Sequence, residues 1–354
     1  MSAGLRVLDP GARTMVQDTG FRGGLAMGVP SSGVLDAAAL ALVNALAGNP
    51  TPTEALEVAL TPPRLRAEGG PVRLATSGLL TGVILHRDGR RTTVPPWTAA
   101  TLPEGAELRL TLLAPTQSAL LAIAGGVGVP RFLGSRSTLP GAGLGGWQGR
   151  ALQAGDLLPV RATGLSGMLS ISAPLPPDPG PIRVVAGPQQ AHFTDQAFAV
   201  LTGSAFTVGA QTDRMGMRLD GPVLAHSDLG ADIVSDGVVP GAVQVPANGQ
   251  PIILLAEAQT TGGYAKIATV IRADLPRLAA LMPGDAVRFT LVSVAQAEAA
   301  ARAAAAARQA AIDSIAALAE PLDPAHLLAR NLVGGVVDAA APDHFDHALQ
   351  GELP

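Results

Sequence analysis

The sequence predicts a mainly β protein, and three observations predict it. First, 42 glycines and 30 prolines in 354 residues interrupt the chain too often for long helices over most of its length. Second, short apolar runs recur between these turn signals, from about 70 to 160 and again from 181 to 294. Examples are "ELRLTLL", "SALLAIAG", "IRVVAG", "PIILLAE" and "AVRFTLVSV". Regular short strands separated by Gly/Pro turns point to closed or sandwiched antiparallel sheets. Third, residues 105–113, "GAELRLTLL", match residues 284–292, "GDAVRFTLV", without gaps. Both alternate as half-buried strands do, which suggests two related halves.

Each element follows in order. The stretch "LDAAALALVNALAG" (35–48) combines good helix formers with a Gly stop, and Asp36 stands where it can serve the first turn. The β-rich region to about 160 completes a first domain, 1–172. The segment 173–181, "APLPPDPGP", reads as a semi-rigid Pro-rich linker. A second β domain spans 182–297. An Ala-rich helix runs from 294 to 320, where Pro321 ends it, and a helical C-terminal extension is assigned to 298–354. Its near-uniform Ala coat shows no apolar stripe that would name a packing face.

Composition removes several function classes. The net charge is -4 and no basic stripe is visible, which excludes the electrostatic footprint of nucleic-acid or anionic-membrane binding. There is no Cys, so disulfides and thiolate metal sites are excluded. No apolar run reaches the ~20 residues of a membrane span. Met1 is not followed by a charged start and an apolar h-region. A cytoplasmic protein is the expectation.

The most informative stretch is "QTTGGYAKIATV" (259–270), which holds the only tyrosine and the only lysine of the chain. Strand residues two apart share a face, so Tyr264 and Lys266 project together if this segment is extended. Gly262 and Gly263 permit a backbone bend and leave N–H groups open to an anion or carbonyl. Gln259, Thr260 and Thr261, with Gln244 shortly upstream, add neutral donors and acceptors. The set suits a small polar ligand with amide or carboxylate groups, Lys266 supplying the charge. The alternative is a hairpin turn with a snorkelling lysine.

Asp236 and Glu257 are the nearest carboxylates in sequence. Glu257 follows "PIILLA", so partial burial would raise its pKa and fit it to move a proton; a solvated strand end is the other reading. Candidate catalytic residues are therefore Lys266, Glu257 and Asp236. Arg214, in "DRMGMRL", either clamps a carboxylate or forms a structural pair with Asp213. A second polar cluster, with Gln17, Asp18 and Arg22 between glycines, suits either a ligand loop or ordinary turn chemistry. Arg136 lies in a similar loop. The familiar dinucleotide, Walker A and nucleophile-elbow motifs are absent. No metal site is expected; "DHFDH" (343–347) reads as a solvated tail.

Residues 11 to about 297 resemble the allophanate hydrolase subunit 2 or biotin-dependent carboxyltransferase family, which includes KipA and the C-type subunit of bacterial ATP-dependent 5-oxoprolinase. The matching stretches are "TMVQDTG", "GVPSSGVLDAAALALVNALAGNP", "LAIAGGVGVPRFLGSRST", "GGWQGRALQAGD", "GPQQAHF", "DRMGMRL", "SDGVVPGAVQVPANGQPIILLAEAQTTGGYAKIATVIRADL" and "MPGDAVRF". The resemblance implies two cyclophilin-like β-barrel domains. It implies a B-type partner subunit, acting with an A-type one, and an ATP-coupled opening of the cyclic amide 5-oxo-L-proline to L-glutamate. ATP would be used by the assembled complex, with no cofactor bound by this chain. Two other members of the family define alternatives: carboxyl transfer to urea or a similar amide from biotin on a separate carrier, and a regulatory binding protein. Departures are visible. Glu257 and Ala258 stand where the family usually has Asp-Arg, Asp236 where it often has Glu, and Phe21 where relatives commonly have Arg, leaving Arg22 as the nearest guanidinium.

Overall fold

The computed structural model describes residues 3–161, 167–176 and 178–318. Two large sheets form most of the first half. One carries six strands in the order Leu157–Pro159, Gly4–Asp9, Arg64–Glu68, Glu107–Leu112, Leu80–Leu85, Arg91–Val94. The other carries Arg13–Gln17, Ala55–Ala59, Ala119–Ile123, Val72–Thr76, Thr98–Leu102 and Leu169–Ile171, extended at its edge by Ile315–Ala317. Leu5, Leu65, Leu80, Ile84 and Leu108 of the first sheet meet Val16, Leu56, Leu74 and Leu121 of the second in one core.

The second sheet is covered on both faces, which explains why Ala55–Ala59 and Ala119–Ile123 are buried at every residue rather than alternately. Helix α1, Ala37–Ala47, lies on its outer face, where Leu40, Val43 and Leu46 pack against Ala55, Ala75, Ala99 and Leu120. The Asp36 carboxylate accepts from the Ala39 N–H at 2.8 Å, and Gly48 closes the helix at φ 77°, as the sequence anticipates.

The second half is a closed barrel of seven strands. Their order is Ile182–Ala186, Lys266–Val270, Ala242–Gln244, Ile252–Leu254, Gly216–Asp220, Ala205–Thr212, Ala286–Leu291. The parallel pairing of Ile182–Ala186 with Ala286–Leu291 closes it, and Phe206 and Phe289 meet inside at 5.9 Å between ring centroids. Helix α2, Asp195–Gly203, starts at Thr194 and packs on the closing strand. The two runs matched in sequence, Glu107–Leu112 and Ala286–Leu291, are both strands of alternating burial. Mainly β, with few helices, is therefore the fold class, as predicted.

The C-terminal region departs from expectation. After the short helix α3, Leu275–Leu278, helix α4 runs from Val294 to Asp313 and ends seven residues before the last position predicted for it. Ser293 and Gln296 form a capping box at its start. Beyond Ser314 the chain becomes the strand Ile315–Ala317, which pairs with Leu169–Ile171 of the first half. Pairing with an open sheet edge, burial of Ala311 and partial burial of Ile315 beside α1 outweigh the helix propensity of the remaining alanines. The division read at 297/298 falls inside α4. The extension past residue 318, with the His/Asp run at 343–347, lies outside the described residues.

Candidate functional site

Lys266 stands on the barrel strand Lys266–Val270, directly opposite Gln244 on the neighbouring strand. Val243, Val245, Ala265 and Ile267 belong to the barrel core. By strand alternation, Gln244 and Lys266 point the other way, outward. A separate two-stranded arm roofs them: Asp232–Gly237 paired with Thr261–Tyr264. Beneath this roof Lys266 is only 4% exposed.

The ammonium of Lys266 donates to Asp236 Oδ2 at 2.7 Å and to the Gly237 carbonyl at 3.3 Å. Asp236, on the arm, is itself 53% exposed, so the ion pair joins a buried cation to a solvent-facing anion. The hydrogen bond and charge of Lys266 hold the Asp236 carboxyl below its ordinary pKa. Gln189 braces the pair: its Oε1 accepts from the Lys266 backbone N–H at 3.2 Å, and its Nε2 reaches Asp236 Oδ2 at 3.4 Å. Gly187 lets this loop approach, because a Cβ there would overlap the Lys266 carbonyl.

The cluster holds buried donors that its acceptors do not fully match. An ammonium carries three N–H groups, and among the described residues Lys266 finds two acceptors. Gln244 is buried, its Oε1 takes a long 3.5 Å bond from Gln259, and its Nε2 has no partner among the described residues. Buried donors without acceptors are costly, so the arrangement suits a ligand bringing oxygen acceptors: a carboxylate, or a carbonyl.

Several expectations change. Tyr264 is 42% exposed while Lys266 is buried, because Tyr264 ends the arm and Lys266 begins the barrel strand, with Ala265 as the hinge between them. Gly262 and Gly263 make no bend; both are in the arm strand. Gly262 is required for space instead, since a Cβ would overlap the Gln244 amide nitrogen, whereas one at Gly263 would meet nothing closer than 3.7 Å. Gln259 and Thr261 are exposed, and the Thr260 carbonyl accepts from Val238 N–H.

Arg214 and Glu257 require a correction, for neither is free for a ligand. Arg214 is buried, and its Nε donates to Glu257 Oε1 at 2.5 Å. Its two terminal nitrogens donate to Glu57 Oε2 and to the Gly33 carbonyl of the first half. A guanidinium with all its nitrogens engaged cannot clamp a substrate, and a carboxylate bonded to it is a poor proton carrier.

Two of the first-half candidates, Asp18 and Arg136, are held in structural networks. Asp18 is buried and accepts from Gly20 N–H, Ser135 Oγ, Ser137 Oγ and Arg136 N–H. Gln17 donates to the Thr138 carbonyl, Arg136 pairs with Glu54 at 3.1 Å, and Arg22 is exposed. A cavity of about 440 Å³ lies nearby, walled by Val129, Phe132, Trp147 and several glycines. None of the sequence-predicted residues lines it, and Arg131 is its only charged wall residue. Volume alone assigns no chemistry, so the donor-rich Lys266 cluster is the stronger site. Gln189 is the residue that sequence reasoning passed over; its signal was the paired glutamines after Gly-Pro in "GPQQAHF".

Residues 27–291 match the family model described as "Carboxyltransferase domain, subdomain A and B". The chain belongs to this carboxyltransferase domain family. Among curated members it is 35% identical to the C-type subunit of Escherichia coli 5-oxoprolinase, over 83% of this chain and 93% of that protein. It is 28% identical to a putative urea carboxylase of Emericella nidulans, over 82% of this chain and 24% of the relative. Among solved members, TTHA0988 is 34% identical at a TM-score of 0.69, covering 81% of this chain. The present chain spans only 55% of that one. Kluyveromyces lactis urea carboxylase is 26% identical at a TM-score of 0.78, covering 89% of this chain and 30% of that one. The 5-oxoprolinase relatives are named as subunits, that is, as parts of a multi-subunit enzyme. No helix among the described residues is long and apolar enough to cross a membrane.

Proposed function

We propose that the chain is the C-type subunit of a 5-oxoprolinase-type hydrolase, working with B-type and A-type partner subunits in the ATP-coupled opening of 5-oxo-L-proline to L-glutamate. The observation that carries this reading is the buried Lys266 ammonium beside Gln244, whose Nε2 has no partner among the described residues. The substrate has two acceptor groups, a carboxylate and a lactam carbonyl. Lys266 binds the carboxylate or the developing oxyanion, and Gln244, with Gln259 and Tyr264 at the rim, orients the amide. The ATP is used by the assembled complex, and this chain needs no cofactor of its own. A cytoplasmic location accords with that chemistry.

The likeness to urea carboxylase favours a second reading, carboxyl transfer to urea or another small amide from biotin on a separate carrier. Urea has no carboxylate for Lys266, which is why the hydrolase reading is preferred. Reconstituted subunits assayed with 5-oxo-L-proline against urea decide between them. On our reading only 5-oxo-L-proline supports ATP-coupled turnover, and Lys266→Ala abolishes it while the fold remains. Urea-dependent turnover with a biotinylated partner on an avidin blot selects the second reading, and near-normal activity of Lys266→Ala removes Lys266 from the mechanism.

A further inference from the structure

We infer that Asp236 is an internal stand-in for the ligand's carboxylate, a displaceable counter-ion that makes the Lys266 cluster select anions over neutral amides. The inference rests on the reading of Lys266 as an anion site, and it changes the role expected of Asp236 from moving a proton to guarding the cation.

Three features lead there. The pair is lopsided: Lys266 is 4% exposed and Asp236 53%, so the carboxylate occupies the solvent side of the ammonium, where an incoming anion must arrive. Asp236 belongs to the arm and not to the barrel, next to Gly237 and across from Gly262, so it can swing away without breaking a barrel strand. Its anchors are also few. Besides Lys266, among the described residues the carboxylate takes only the 3.4 Å contact from Gln189 and the N–H of its own neighbour Gly237. A carboxylate with so exposed a position exchanges readily for another.

Selectivity follows from the exchange. A ligand carboxylate replaces the Asp236–Lys266 pair with an equivalent pair and adds an acceptor for Gln244 Nε2, which has none among the described residues. A neutral amide cannot replace a charge, so it leaves Asp236 in place. Held below the ordinary carboxylate range by Lys266, Asp236 also remains an anion and is ill suited to deliver a proton.

The single lysine makes the test direct, because protein labelled with ¹⁵N-lysine gives one backbone signal, that of Lys266. Acetate, 5-oxo-L-proline and urea are titrated into wild type, Asp236→Asn and Asp232→Asn. Asp232 is an exposed acid on the same arm that does not touch Lys266. Both carboxylates should bind Asp236→Asn about three- to fivefold more tightly than wild type, the weight of a half-exposed ion pair. Asp232→Asn should bind them as wild type does, and urea should move the signal in none. Equal carboxylate affinity in Asp236→Asn and wild type overturns the inference while leaving the anion site intact. An equal gain in Asp232→Asn reduces the effect to net charge and overturns it too. Carboxylates that leave the Lys266 signal unmoved in every protein overturn both the inference and the anion site beneath it.

Discussion

Arg214 of the barrel and Glu57 of the first-half sheet form an ion pair across the junction of the two halves, and both side chains are almost wholly out of water. Their positions are 157 residues apart in the chain. Glu57 also accepts from Leu35 N–H at 2.8 Å and Ser118 Oγ at 2.7 Å, so its charge is satisfied from several directions. Burial works against the Arg214 cation, but the charges of Glu57 and Glu257 outweigh it and hold its pKa above the ordinary value. Removing one member of such a network strands the others in a dry site. Arg214→Ala should lower unfolding stability by about 3–5 kcal/mol, seen as a fall in the denaturant midpoint. Arg218→Ala, at an exposed neighbouring position, should change it by less than about 0.5 kcal/mol. Similar midpoints for the two variants would show that the network does not hold the halves.

That network marks where the sequence stops being legible. The strands and α1 with its Asp36 cap are local matters, decided by alternation and turn residues within a few positions. The partners of Arg214 are decided by how the two halves dock, and nothing near residue 214 announces Glu57 or Gly33. The same holds for Gln189, which reaches Lys266 from 77 positions away. The C-terminal strand was hidden for another reason. Ala-rich sequence favours helix everywhere, and the open edge at Leu169–Ile171 that captures Ile315–Ala317 exists only once the first half has folded.

The two adjacent glycines of the arm should behave differently. Gly262 lies against the Gln244 amide, so Gly262→Ala must push that amide aside and displace a donor of the cluster. Gly263 has ordinary space around it. Neither requires a left-handed backbone, so the stability cost of each change should stay within about 1 kcal/mol. Carboxylate affinity, measured by titration, should fall at least severalfold in Gly262→Ala and stay at the wild-type value in Gly263→Ala. Equal affinities in the two variants would separate Gln244 from the site.

Asp36 should make stability depend on pH in an unusual direction. Burial pushes its pKa up to about 6, aided by the charge of Glu57 and opposed by the N–H groups of Ala39 and Ala38. The folded protein therefore binds this proton more tightly than the unfolded chain, whose carboxyl has an ordinary pKa near 3.8. The stabilisation is complete below about pH 4 and is lost as pH rises towards and through 6. Asn also caps helices but carries no charge to bury. Asp36→Asn should thus flatten the profile between pH 4 and 7 and raise stability at pH 7 by on the order of 1 kcal/mol. Denaturant midpoints of the two proteins across that range test it; parallel profiles would assign the pH dependence to other groups.

Helix α4 offers the last test, because nearly all of its surface is open to water. Ala311 is the buried exception, 2% exposed, seated with α1 and with Ile312 and Ile315 at the point where the chain rejoins the first half. An alanine there contributes little area of its own, but it fits a space with no room for a solvated charge. Ala311→Asp places a carboxylate among aliphatic side chains, and the cheapest escape is to release the helix end together with the strand that follows. Stability should fall by about 2–4 kcal/mol. Limited proteolysis should open a new site near Ser314. Ala305→Asp lies on the exposed coat of the same helix, where only helix propensity is lost, and should cost less than about 1 kcal/mol with no new cleavage. If both substitutions cost the same and neither exposes the 314–317 segment, then the strand, and not the helix end, holds the chain against the first half.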